Sequence, residues 1–276
     1  MGKKIKYSIY SFIILLVIFI CVHGCGRESE NKVIRVSTTT SVNDSGLLPY
    51  LQTEFEKSTG FKLEITSAGT GAAIEKAKMG DADCILVHAK DAEESFIKEG
   101  YGVERIVLMH NYFTIAGPSS DPCNVRAALS ASEAFSRIAH NEALFVSRGD
   151  DSGTHKKEIS LWESAGVPYE NQQWYINTGQ GMGSAYNIAV EQQAYIFMDK
   201  GTYLSHSQKD ALDILMEESP DLKNVYSIIA VNPEKWPDTN LAGVEVLIEW
   251  MQSDKAKEMI AIYGVEEYGQ PLFFLE

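Results

Sequence analysis

The sequence predicts an α/β protein whose chain forms two lobes and crosses between them twice. Three observations carry this. Strand-like and helix-like segments alternate along the chain, which argues for a mostly parallel sheet with helices on its faces. A long apolar run from Arg105 to Gly117, interrupted at Asn111, leads into the turn-rich stretch Pro118 to Val125 and reads as an outbound crossing. A second run, Val225 to Val231, ends at Asn232-Pro233 and reads as the return. Lobe 1 is thereby expected over 33–113 plus 231–276 and lobe 2 over 114–230, and two lobes joined in this way can close on a ligand like a hinge.

The elements follow in order. Val33 to Thr40 is rich in β-branched residues and predicts a strand. Leu47, Leu48, Leu51 and Phe55 lie at helical spacing, so a helix is expected from about Ser45 to Ser58, with Pro49 near its first turn and Gly60 past its end. Phe61 to Ser67 is a strand, Gly71 to Met79 a helix, Cys84 to His88 a short buried strand and Asp91 to Glu99 a helix. Beyond the outbound crossing, Ser130-Ala131-Ser132-Glu133 has the form of a capping box, opening a helix to about His140. Leu144 to Ser147 is a strand, Thr154 to Ala165 and Ser184 to Glu191 are helices, Ala194 to Met198 is a strand and Lys209 to Glu217 a helix. The helices Leu241 to Met251 and Asp254 to Tyr263 close the chain against lobe 1.

The first residues stand apart from this pattern. Lys3, Lys4 and Lys6 precede an apolar run from Tyr7 to Val22, and Gly24 precedes Cys25. A basic start, an apolar run and a small residue before a cut describe a secretory signal over 1–24. The Gly24-Cys25 junction resembles a bacterial lipobox, which implies lipid on Cys25 and a polar tether over 25–32; an uncleaved membrane anchor is the plainer alternative. The net charge is −14 and becomes −17 once 1–24, with three Lys and no acid, is removed. Such a chain repels nucleic acid, so no nucleic-acid partner is expected. Cys84 and Cys123 show no metal-ligand spacing and read as two unpaired thiols.

Four segments share one design, a strand followed by a small polar or Gly-rich turn and then a helix. They are Thr38 to Ser41, Ser67 to Gly71, Ser147 to Thr154 and Gly179 to Ser184. Helix N-termini leave backbone N–H groups without partners and carry partial positive charge; Gly lets an anion approach the backbone, and hydroxyls add donors. Each segment alone could be no more than a plain N-cap. Two in each lobe, at the ends of strands where ligands of open α/β sheets sit, point to an anion site. Arg148 is the one Lys or Arg within these turns and can give charge-assisted hydrogen bonds to an oxyanion or pair locally with Asp150 or Asp151. Those two carboxylates are expected to turn away from the anion, one of them holding Arg148 or capping the helix, and His155, Trp174 and Tyr175 to be local or wall residues. A P-loop ending, a Gly-x-Ser-x-Gly elbow and a nucleophile–base set are all missing, so neither catalysis nor a cofactor is expected.

In this order the turns resemble those of the tungstate-binding component of bacterial tungstate ABC importers, within the periplasmic-binding-protein superfamily. The stretches that carry the resemblance are VIRVSTTTSVNDSGLL, FEKSTGFKLEITSAGTGAAIEKAKMGDADCILVHAK, EGYGVERIVLMHNYFTIAGP, FVSRGDDSGTHKKEISLW, WYINTGQGMG and DKGTYL, with SRGDDSGTHKKE the most specific. The resemblance implies a two-lobed fold of the hinged type and a dianion held by neutral donors and an Arg, with tungsten present only as bound tungstate and no metal cation. Its implied contacts are Thr39, Thr40 and Ser41, then Gly69 and Thr70, then Arg148 and Thr154. Ser147, Ser152, Gly153, Gly181 and Ser184 would support them. It further implies an ABC permease with its ATPase as partner, and a monomer held at the outer face of the cell membrane by lipid on Cys25.

Other ligands stay open on residue chemistry alone. Molybdate matches tungstate in size and charge. Phosphate near neutral pH retains a proton and would want a carboxylate acceptor, so Asp44, Asp150 or Asp151 in the cleft would favour it. Sulfate is smaller. An extracellular phosphoryl-transfer enzyme would need a metal cluster or nucleophile that the sequence does not display.

Overall fold

The computed structural model describes residues 31–217 and 219–276, and of Ser41 and Asp44 it describes the backbone alone. The signal expected over 1–24 and Cys25 lie outside the described residues, and the tether expectation falls almost wholly there. Val33 to Glu276 forms one compact unit.

The described elements run β1 (Val33–Thr39), α1 (Thr40–Asp44), α2 (Leu47–Thr59), β2 (Lys62–Ala68), α3 (Thr70–Lys78), β3 (Cys84–Val87), α4 (Lys90–Lys98) and β4 (Gly102–Gly117). They continue with α5 (Ala131–His140), β5 (Phe145–Ser147), α6 (Gly153–Ala165), β6 (Tyr175–Asn177), α7 (Met182–Gln192), β7 (Tyr195–Asp199), α8 (Lys200–Ser205) and β8 (Asp213–Met216). Last come β9 (Lys223–Val231), α9 (Leu241–Met251), α10 (Asp254–Ile262), α11 (Val265–Tyr268) and β10 (Phe274–Leu275), with short 3-10 turns at Val125–Ala127, Lys209–Ala211 and Pro220–Leu222.

The strands lie in the order β2-β1-β3-β9-β4-β7-β5-β6, with β8 and β10 added to β4. Pairing is parallel for β1 with β2 and β3, and for β5 with β6 and β7. It is antiparallel wherever β4 or β9 takes part. The sheet is therefore mixed: the strands that feed helices are parallel, and the long strands β4 and β9 run against them.

Helices cover both faces, and side-chain alternation shows why. In β3, Cys84 and Leu86 join the apolar cluster that holds Phe55, Val244 and Met259, while Ile85 and Val87 join the one on the other face with Ile74 and Phe96. In β7, Tyr195 and Phe197 pack with Phe135 and Trp162, and Ile196 and Met198 with Tyr186 and Ala189. Strands buried on both faces read as continuous apolar runs, which is how these segments stand in the sequence. Cys84 and Cys123 are free buried thiols in separate clusters.

Most expected elements are present to within a few residues. The Ser130 half of the capping box forms, its Oγ accepting from Glu133 N at 3.1 Å, while Glu133 Oε2 reaches one residue further back and accepts from Leu129 N at 2.8 Å. Two expectations need correction. Asn111 does not interrupt β4, which is continuous from Gly102 to Gly117. The strand instead changes partner there, pairing with β9 through Tyr112 and with β7 from Phe113. The helix expected over Lys209 to Glu217 is a short 3-10 turn followed by β8. Beyond the start of β9 at Lys223, the edge of β4 at Ile115 to Gly117 is open, and Asp213 to Met216 pairs with it. Among the described residues no helix is long and apolar enough to cross a membrane.

Candidate functional site

The four turns are built as strand-to-helix junctions on two parallel strand pairs. Thr39 and Ala68 are register partners at the ends of β1 and β2, and Ser147 and Asn177 at the ends of β5 and β6. Strand hydroxyls tie the first pair down: Ser37 Oγ donates to Ala73 O at 2.9 Å and Thr38 Oγ1 to Leu86 O at 2.7 Å. The second pair is laced together by Thr178, whose Oγ1 donates to Ser147 O at 2.9 Å, and by Gln180 N, which donates to Arg148 O at 3.1 Å.

These junctions converge on a cavity of about 370 Å³. Of the expected contacts, Thr40, Gly69, Arg148 and Thr154 line it, as do Ser152 and Gly181 from the supporting set. Gly69 and Gly181 cap α3 and α7 with extended backbone and no side-chain cap, and a Cβ on either would meet nothing within 4 Å. Their helices therefore open toward the cavity with first-turn N–H groups unblocked by any capping side chain. α6 is capped by Ser152, whose Oγ accepts from His155 N at 3.3 Å.

The other expected residues stand back from the cavity. Thr39 and Thr70 are buried, and Thr70 Oγ1 has no partner among the described residues. It lies where α3 meets α6, since a Cβ on Gly153 would come within 2.8 Å of it and 2.5 Å of His88 Cε1. Ser147 points away, donating to Glu158 Oε2 at 2.8 Å. Ser184 is exposed and outside the lining, and the side chain of Ser41 is not described.

Arg148 is almost fully buried, and its Nε and Nη2 both donate to Asp150 Oδ2, at 3.1 and 2.5 Å. Asp150 also accepts from Ser152 N at 3.2 Å through Oδ1. Burial pushes its pKa up, but the bonds from Ser152 and Arg148 outweigh that and hold it below the ordinary carboxylate range. The expectation that both aspartates turn away is thus met by one of them. Asp151 is exposed and pairs with Lys156 at 3.5 Å, whereas Asp150 lines the cavity as the partner of Arg148. Gly149, at φ 61°, is required in this turn because Asn177 Oδ1 lies 1.7 Å from where a Cβ would stand.

Behind Arg148, the buried Glu158 accepts from Ser147 Oγ, from Trp162 Nε1 at 3.2 Å and from Tyr175 OH at 2.8 Å. Burial dominates over these bonds and raises its pKa to about 7. Tyr175, read as a wall residue, is a member of this network.

Sequence reasoning missed Met182, Gly183, Asp199 and Thr202, all of which line the cavity. Asp199 caps α8 by accepting from Thr202 N at 3.2 Å through Oδ1, and its Oδ2 accepts from Asn111 Nδ2 at 2.6 Å. Asn111 Oδ1 in turn accepts from Asn224 Nδ2 at 2.9 Å. A chain of buried hydrogen bonds thus runs from the cavity to both long central strands, β4 and β9. Burial raises the Asp199 pKa to about 6 against the bonds from Thr202, Asn111 and Gly201. The signal for Asp199 was present in the sequence as Asp-Lys-Gly-Thr, a capping residue before a short helix, at the head of the DKGTYL stretch that carries part of the family resemblance.

Comparison with known proteins agrees with this architecture. Residues 26–255 match the model of a PBP superfamily domain. The chain is 45% identical over 248 residues to the tungstate-binding protein TupA of Peptoclostridium acidaminophilum, covering 89% of this chain and 86% of the relative. The solved structure of the tungstate-binding protein TupA from Desulfovibrio alaskensis G20 superposes with a TM-score of 0.81 at 39% identity, over 88% of this chain and 98% of that one. The tungstate ABC transporter structure from Geobacter sulfurreducens gives a TM-score of 0.75 at 41% identity, over 84% and 98%. The chain belongs to the PBP superfamily and, within it, to the family of TupA-type tungstate-binding proteins.

Proposed function

We propose that this chain is the substrate-binding component of an ABC importer and captures tungstate in the cavity between α3, α6 and α7. The observation that carries the reading is the convergence of three helix N-termini and Arg148 on one cavity. Each helix end adds about 0.3–2 kcal/mol toward an anion, and a buried guanidinium adds charge-assisted bonds. Asp150 and Asp199 also line the cavity, but every carboxylate oxygen already accepts a donor from the protein. Each of these oxygens keeps a further lone pair, and a carboxylate in the lining is the acceptor a protonated phosphate would want, so the lining by itself leaves phosphate open beside tungstate and molybdate. The names of the relatives favour tungstate.

The lobes proposed are 33–113 with 231–276, and 114–230, flexing at β4 and β9. The anion binds one lobe and the other closes over it, so that its preference for the closed state biases the equilibrium. The closed form docks on a permease driven by its ATPase. The chain works as a monomer without catalysis, outside the cytoplasm, and lipid on Cys25 keeps it at the membrane.

Calorimetric titration of the purified chain with tungstate, molybdate, sulfate and phosphate in parallel tests the ligand. Tight tungstate binding with sulfate and phosphate silent is expected; a preference for either of the last two overturns the choice of ligand, and silence from all four removes the site. Metabolic labelling with a fatty acid tests the anchor, and label retained in Cys25→Ser refutes it.

A further inference from the structure

A second cavity, of about 590 Å³, opens between α4 and α6 and reaches the crossing strands β4 and β9. It shares no lining residue with the oxyanion cavity, yet the two are neighbours: Gly153 lines this one, while Ser152 and Thr154 on either side line the other. Its charge is unlike that of the chain. Lys90, Arg105, Lys156, Lys157 and Lys223 line it against a single carboxylate, Asp91, in a protein of net charge −14.

Four of the five cations have a carboxylate partner, Arg105 with the buried Glu93 at 2.6 Å and Lys223 with Glu276 at 2.5 Å being the closest. Lys156 and Lys90 hold longer, exposed pairs with Asp151 and Glu94 at 3.5 and 3.7 Å. Lys157 has no ion pair among the described residues although it is half-buried, and burial lowers its pKa against a weaker pull from Asp221. A desolvated ammonium without a partner is costly unless something anionic meets it. Ala92, Phe113 and Val225 supply apolar wall between the charged heads. The volume falls within the range of small-molecule sites, roughly 300–1,000 Å³, and a lone tetrahedral oxyanion would leave those walls wet.

We propose that this cavity is a second binding site, for a small organic molecule carrying two or three anionic groups, carboxylate or phosphate, on an apolar frame. Its occupant rests on α4 from one half of the sheet and on α6 from the other. It therefore bears on the relative position of the elements that frame the oxyanion cavity, and the two sites are coupled through α6. The assignment does not depend on which oxyanion the first cavity takes.

The test titrates the purified full chain with citrate, a tricarboxylate, and with glycerol 3-phosphate, a phosphomonoester, with and without saturating tungstate and at ionic strength matched by chloride. Saturable binding of one probe is expected in both conditions. Lys157→Gln should weaken it at least tenfold, and so should Ser160→Trp, which places a ring in the mouth from an exposed position. Thermal melting checks that both variants fold. Failure of both probes to bind, equal binding in the two variants, or displacement of the probe by tungstate at one shared site would overturn the proposal. Loss of tungstate binding with the probe result intact would instead count against the oxyanion reading alone.

Discussion

Replacing Arg148 with Ala removes the cation from a cavity whose remaining lining includes two carboxylates, Asp150 and Asp199. In the free protein Nε and Nη2 serve Asp150, which leaves Nη1 and the second Nη2 hydrogen for an anion. A hydrogen bond from a charged group contributes about 1.5–3 kcal/mol, so losing one or two costs roughly 2–5 kcal/mol. That is on the order of a thirtyfold to several-thousandfold rise in Kd. Part of the loss is indirect, because Asp150 is left facing a dianion without its counter-charge. Arg148→Ala with Asp150→Asn should therefore bind better than Arg148→Ala alone, and the double-mutant cycle measures that coupling. Arg148→Lys should recover only part of the affinity, since an ammonium cannot serve Asp150 and the anion with one planar fork. The assay is calorimetric titration with tungstate, after far-UV circular dichroism and melting have shown the variants folded. A folded Arg148→Ala protein with affinity within threefold of the parent would refute the assignment of Arg148 and the electrostatic reasoning with it.

Gly153→Ala should lower oxyanion affinity by an order of magnitude or more, because its Cβ would come within 2.8 Å of Thr70 Oγ1 on α3, and within 2.5 Å of His88 Cε1, and hold α6 away from α3; unchanged affinity would show that the two helices need not approach this closely. Gly149→Ala combines a left-handed φ with a Cβ placed on Asn177, so it should cost about 1–3 kcal/mol or more and lower Tm; a Tm within one degree of the parent would contradict the strain. Gly181→Ala meets open space at a negative φ, so Tm should hold while the added methyl at the mouth of the cavity weakens anion binding. Glu158 has its folded pKa raised from 4.5 to about 7, so its contribution to stability is fully present below about 4.5 and is lost as pH rises through 7. Glu158→Gln should then flatten the fall in Tm between pH 5 and 8, and an identical slope in the variant would refute the raised pKa.

Much of this protein was determined locally. Strands such as Cys84 to Val87 and Tyr195 to Asp199 are buried on both faces, so each is a short continuous apolar run that marks itself. Caps at Ser130 and Ser152 and the terminating Gly60 act within a few residues, which is why helix ends were legible. The strand-turn-helix design of the four turns is equally local, and Arg148 could be named from it as their one cation. Thr40, Gly69 and Thr154 were implied by the family likeness, and they line the cavity with Arg148. What the sequence could not decide depends on partners distant in the chain. Asp213 to Met216 carries apolar residues that suit a helix or a strand, and only the open edge of β4, almost a hundred residues earlier, selects the strand. Asn111 resembles a strand breaker until Asp199 and Asn224 arrive to satisfy its amide, 88 and 113 residues away. Asp199 itself looks like a helix cap, and it becomes a cavity residue only when α8 is brought against the β5–α6 turn. Periodicity and capping are properties of neighbours along the chain; edge pairing, buried polar satisfaction and the convergence of helix ends on one space are properties of the packed whole.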